Sequence, residues 1–96
     1  MTHLEESDLP SLRAAKDPAA PIREVFRDVS EATGFSLAIL IGDCRTRPVV
    51  RARDLGCWVA HRRLGISMTD IGKWIGSHHT TIMAAVRRED ARRAEA

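Results

Sequence analysis

Five consecutive residues, Ser77-His78-His79-Thr80-Thr81, are all polar and all able to hydrogen-bond. Such a run cannot all face a core. An imidazole donates to or accepts from a base edge, and a Thr methyl packs on the methyl of thymine while its hydroxyl bonds a base or a phosphate. A second cluster lies mid-chain, where Arg45, Arg47, Arg51 and Arg53 fall within nine residues. Guanidinium groups at a helix start bind phosphates through paired N–H bonds or enter a narrow minor groove. His61 and Lys73, between the clusters, are further candidates to face a phosphate. Each cluster alone has an ordinary explanation, since Ser and Thr cap helices and charge runs face water. Together on one small chain they point to a polyanion.

Catalytic and metal chemistry fit less well. Cys44, Cys57, His61, His78 and His79 match no metal-ligand spacing, and neighbouring His78 and His79 point in different directions on a helix. Cys57 and His61 are four residues apart, but no third group is in sight to orient them, and a buried Cys usually acts as a small hydrophobe. The G-x-x-x-x-G-K-[ST] phosphate loop is absent. The expectation is a protein that is not an enzyme and uses no cofactor and no metal.

The composition supports a binding role. Ninety-six residues make one domain, too small for a deep substrate pocket. The formal net charge is only +2, but it is unevenly spread. Residues 1–44 hold four basic and eight acidic groups, and residues 45–96 hold eleven basic and five acidic groups. A polyanion would dock on the second half. Two cysteines without a C-x-x-C spacing suit a reducing compartment. The acidic start is not a signal peptide, and the longest apolar run, Leu37 to Ile41, is far short of the ~20 residues that span a bilayer. A cytoplasmic, nucleoid-associated protein without membrane contact is expected.

Residues 1–20 read as a flexible acidic tail, with Glu5, Glu6, Asp8 and Asp17 interleaved with Pro10 and Pro18. Within it, Leu9-Pro10-Ser11-Leu12 could dock on another protein. Residues 21–96 read as an all-α domain, a small bundle of four to five helices. Ile22, Val25, Phe26, Val29 and Ala32 share one helical face between Pro21 and Gly34. Phe35 to Ile41 forms one or two turns behind Ser36, ending at Gly42. Pro48 opens a helix whose apolar face runs through Val49, Ala52, Leu55, Val59 and Ala60 to a stop at Gly65. Ser67-Met68-Thr69-Asp70 has the form of a capping box, with Ile71, Trp74 and Ile75 buried behind it. That helix halts at Gly76, and another starts near Ser77 and runs through Ile82, Ala85 and Val86 into Arg93. Two helices about a tight Gly-containing turn form a helix-turn-helix.

Here a family resemblance becomes specific. Arg45-Thr46-Arg47-Pro48-Val49-Val50-Arg51-Ala52-Arg53, the helix start Ser67-Met68-Thr69-Asp70-Ile71-Gly72, and His79-Thr80-Thr81-Ile82 followed by Ala85 and Val86 resemble the C-terminal DNA-binding domain of bacterial replication initiators of the DnaA family. The resemblance covers about three-quarters of the chain. It implies that Arg45 enters the minor groove, that Thr80 and His79 read the major groove, and that Thr81 anchors a phosphate. It also implies phosphate contact by Arg47, Arg51 and Arg53. The family's G-G-R-D-H-T-T is one residue shorter here. Ser77 stands where the family has a base-contacting Arg, and His78 where it has Asp, which changes the expected base preference.

The expected function is sequence-specific binding of double-stranded DNA at sites like those of the initiator, regulating replication or transcription. The alternative is an interaction module derived from such a domain. Its partner would be the initiator itself or another replication protein, with Trp58 and Trp74 as candidate docking groups.

Overall fold

The computed structural model describes residues 19–96, and both the acidic tail motif and the tail itself, up to residue 18, lie outside the described residues. Helix α1 spans Ala19–Thr33, two residues earlier than Pro21 suggests. Its inward face is Ile22, Val25, Phe26 and Val29, at the three- and four-residue spacing of one helical side. Ala32, also expected inward, is exposed.

Gly34 ends the helix in the left-handed region at φ 81°. The corner is tightened by Ser30 Oγ donating to the Phe35 carbonyl at 2.6 Å and Thr33 Oγ1 donating to the Val29 carbonyl at 2.7 Å. The short helix α2, Leu37–Ile41, follows, its N–H of Ile39 capped by Ser36 Oγ at 3.2 Å.

Helix α3, Arg47–Trp58, starts with Pro in its first turn, where a missing N–H costs nothing. It buries Val49, Ala52, Gly56 and Cys57. Gly56 is required by contact: a Cβ there would sit 2.7 Å from the Phe26 ring. On another side Phe26 meets Trp74, ring centroids 5.3 Å apart, so Phe26 joins α1, α3 and the next helix at the centre of the core.

Helix α3 continues into a π-helical turn, Val59–Arg63. There the N–H of Leu64 reaches back five residues to the Val59 carbonyl at 3.1 Å, and Gly65 adopts φ 70°. Helix α4, Met68–Ile75, opens on Ser67, whose Oγ accepts the Asp70 N–H at 3.0 Å as the capping-box pattern requires. Helix α5, His79–Glu95, lies across α3 and forms with it the most extensive helix–helix interface among the described residues. The described residues contain helices and turns but no strand.

Candidate nucleic-acid interface

The helix-turn-helix is α4, a three-residue turn and α5. Gly76 closes α4 at φ 86° and ψ 31°, and its N–H and that of Ser77 both donate to the Gly72 carbonyl, at 2.7 and 2.8 Å. The turn folds back so closely that a Cβ on Gly72 would lie 2.5 Å from the Ser77 carbonyl oxygen.

Helix α5 starts two residues later than the sequence suggests, because the cap is His78 rather than Ser77. The Nδ1 of His78 accepts the Thr80 backbone N–H at 3.3 Å, and the Thr80 hydroxyl lies 2.8 Å from the same nitrogen. A backbone N–H only donates, so Nδ1 carries no proton in this geometry and the ring proton sits on Nε2. His78 is thus the N-cap of α5. Its ring stacks against His79 with centroids 4.2 Å apart. His78, His79, Thr80 and Thr81 are all exposed, while Ile82, Ala85 and Val86 anchor the opposite face in the core. Ser77 is half-buried.

The arginine cluster divides. Arg45, Arg47 and Arg51 are exposed on the loop and first turns of α3. Arg53 turns inward: its Nε donates to the Leu40 carbonyl at 2.6 Å, and its Nη2 to those of Gly42 and Cys44 at 3.0 and 2.8 Å. It holds the Arg45 loop in shape and lines the same cleft as Arg45. His61 is likewise occupied, Nδ1 to the Ile66 carbonyl at 2.8 Å, bracing the loop after the π turn. Lys73 lies exposed on α4.

The two clusters read from the sequence meet in part. A cleft of about 510 Å³ is lined by Arg45, Val50 and Arg53 together with Ser77, Thr81 and Arg88, while Arg47, Arg51, His78, His79 and Thr80 lie outside its lining. The charge around it is better sorted than a count suggests. Arg88 and Arg92 bond Asp54, Arg62 bonds Asp90, and Arg93 bonds Glu89, at distances between 2.7 and 3.0 Å. Hydrogen bonds from Arg62 and from the Trp58 indole hold Asp90 below the usual carboxylate range. Arg45, Arg47, Arg51, Lys73 and Arg87 are exposed and take part in none of these pairs, as are Arg23 and Arg27 on α1 and Arg63, which lies over the Trp58 ring. Arg87 was not singled out from the sequence, although it lies seven residues beyond Thr80 and hence on the same face of α5.

Both tryptophans are engaged within the fold. Trp74 packs on Phe26, and Trp58 donates Nε1–H to Asp90 at 2.7 Å beneath the Arg93 guanidinium, 3.7 Å from its ring centroid. Cys57 is buried, and burial pushes its thiol up to about 12. Among the described residues no three His, Cys, Asp or Glu side chains gather as a metal site would need. No helix among them is long and apolar enough to cross a membrane.

Comparisons with known proteins agree with this geometry. The family model described as the bacterial dnaA protein helix-turn-helix matches residues 22–88. The chromosomal replication initiator protein DnaA of Caulobacter vibrioides strain NA1000 / CB15N is 36% identical over 87 residues, covering 90% of this chain and 18% of the relative. DnaA of Cereibacter sphaeroides strain ATCC 17029 / ATH 2.4.9 is 33% identical over 86 residues, 88% of this chain and 19% of the relative. The chain thus spans about a fifth of the length of these curated relatives, in their C-terminal part. No solved structure matches it significantly. From the α4–α5 turn, the arginine loop and these matches alike, the chain belongs to the DnaA C-terminal helix-turn-helix family.

Proposed function

We propose that this chain binds duplex DNA sequence-specifically at sites related to those of the DnaA initiator, and regulates replication or transcription by occupying them. The observation that carries this is the cleft, which sets the arginine loop opposite the start of α5. A helix start presented to the major groove, with a cationic loop reaching the adjacent minor groove, would straddle the strand between them. In this reading Thr80 and His79 meet base edges, with His78 Nε2–H as a single donor beside them. Arg45 enters the minor groove, while Arg47, Arg51, Lys73, Arg87 and the Thr81 hydroxyl position the phosphate backbone. The half-buried Ser77 contributes at most through its hydroxyl, and Arg53 and His61 act by shaping the loops.

The chain carries no phosphate loop, so it is read as a DNA-recognition unit that hydrolyses no nucleotide. Selection of bound duplexes from a random pool tests the proposal. The expected motif keeps its thymine-rich and minor-groove positions and is degenerate at the guanine that the family's Arg would read. Affinity for it should fall with salt at a log–log slope of roughly −3 to −6, as for about four to six neutralised phosphates. A flat salt dependence, or no enriched motif, overturns the proposal. The alternative, an interaction module for the initiator or another replication protein, would have to use the parts of Trp58 and Trp74 left uncovered, since both are half-buried and bonded or packed within the fold.

A further inference from the structure

The carboxylate of Asp54 is 1% exposed, the one buried acidic group among the described residues, and three N–H bonds converge on it. Arg88 grips it as a fork, Nε to Oδ2 and Nη2 to Oδ1, both at 2.9 Å, and Arg92 Nη2 reaches Oδ2 at 2.7 Å. Both arginines come from α5, one turn apart. Arg92 is itself steadied by Glu89 at 2.7 Å. Asp54 lies on α3, two turns beyond Arg47 and one beyond Arg51. Arg88 lies eight residues, roughly 12 Å, along α5 from Thr80. One buried carboxylate thus ties the helix that carries the arginine loop to the helix that carries the polar start.

The apolar part of the same interface packs without fixed direction. The buried residues of α3 are Val49, Ala52, Gly56 and Cys57, and those of α5 are Ile82, Ala85 and Val86. Contacts among such side chains are non-directional. A two-bond guanidinium–carboxylate fork is planar and directional, so it resists both sliding and rotation. A buried ion pair contributes little net stability once desolvation is counted, whereas registry is its best-attested use.

We propose that Asp54, through Arg88 and Arg92, is a positioning residue for sequence recognition, setting the register between the Arg45 loop and the Thr80 end of α5. The proposal rests on the DNA-binding reading above. A shift of α5 along α3 by even 1 Å would move the helix start relative to the arginine loop, and one of the two grooves would be misread. Contacts that merely hold phosphates tolerate such a shift far better than base contacts do.

The test uses the full chain and two variants. In Asp54→Asn the fork loses its charge. In the apolar swap Asp54→Val with Arg88→Met and Arg92→Met, no orphaned ion remains, so the fold is retained even if Asp54→Asn unfolds. Thermal melts, affinity for random duplex and affinity for the motif selected by the unaltered chain are measured for each. The expected result for the swap is a cooperative melt and a loss on random duplex that reports the two cations removed, of which Arg88 lines the cleft. Its preference for the motif over random duplex should fall by about tenfold or more, against the several-decade specificity ratios of such proteins. A swap that folds and keeps the full preference overturns the positioning role and leaves the DNA-binding reading intact. If the unaltered chain shows no motif preference at all, both fall together.

Discussion

His78 and Thr80 form a closed pair: one imidazole nitrogen receives both the backbone N–H and the hydroxyl of the residue two positions on, at 3.3 and 2.8 Å. Thr80 therefore faces outward with its methyl and its acceptor lone pairs, its hydroxyl proton being committed to the ring. The pair makes the cap and the reading residue one unit.

Removing the cap should be felt in both roles. His78→Ala should destabilise the chain by about 1 kcal/mol, as loss of an N-cap does, while His78→Asp should not. Denaturant melts measure this. Equal destabilisation by both substitutions would show that the ring is not acting as a cap.

Thr80→Ala should separate reading from holding. A cost of about 1–3 kcal/mol on the selected motif is expected, with little change on random duplex. Arg47→Ala, removing an exposed cation, should weaken both by similar amounts. Mobility shifts on the two duplexes decide it, and parallel behaviour of the two variants would dissolve the division of labour.

Arg53 and Arg47 should differ in stability as well. Arg53→Ala strands the carbonyls of Leu40, Gly42 and Cys44 in a partly buried corner, at about 1–3 kcal/mol. Arg47→Ala should leave the melt unchanged. Arg53→Lys should rescue poorly, because an ammonium cannot span three carbonyls as the planar fork does. A melt for Arg53→Ala indistinguishable from that of the unaltered chain would remove the clamp.

The cysteines give a pH signature. Burial holds the Cys57 thiol at about 12, above its ordinary value of 9.0, so it ionises only once the chain unfolds. Stability from this group is complete below about pH 9 and is lost as pH rises towards 12, at up to about 1.4 kcal/mol per pH unit. Cys57→Ala should flatten that alkaline slope in denaturant melts. Hydrogen bonds from Thr46 lower the Cys44 thiol, so at pH 8 a thiol reagent should modify Cys44 first and Cys57 only on unfolding. Simultaneous modification of both in the folded chain would contradict the burial of Cys57.

Much of this is legible in the sequence. The apolar period of Ile22, Val25, Phe26 and Val29, and the punctuation by Gly34, Pro48, Gly65 and Gly76, are local signals, and local signals place helices. The cap at Ser67 was readable for the same reason. The π-helical turn was not, since a bond reaching back five residues leaves no trace in composition. By type Arg53 and His61 read as outward, yet Arg53 bonds three carbonyls that the fold brings near and His61 bonds the Ile66 carbonyl across the turn after the π-helical stretch. Asp54 offered one clue, an acidic residue inside an apolar stripe, and Arg88 and Arg92 another, two arginines one turn apart. Only packing α5 on α3 joins the two.

The three carbonyls gathered by Arg53 have a thermodynamic consequence. A loop that is ordered before it meets a ligand loses its conformational freedom during folding, not during association. The segment from Leu40 to Cys44 is already held, so docking of the adjoining Arg45 need not be slowed by a search among loop conformations. The heat-capacity change on binding should then reflect surface burial alone, without the large extra decrement that accompanies folding coupled to binding.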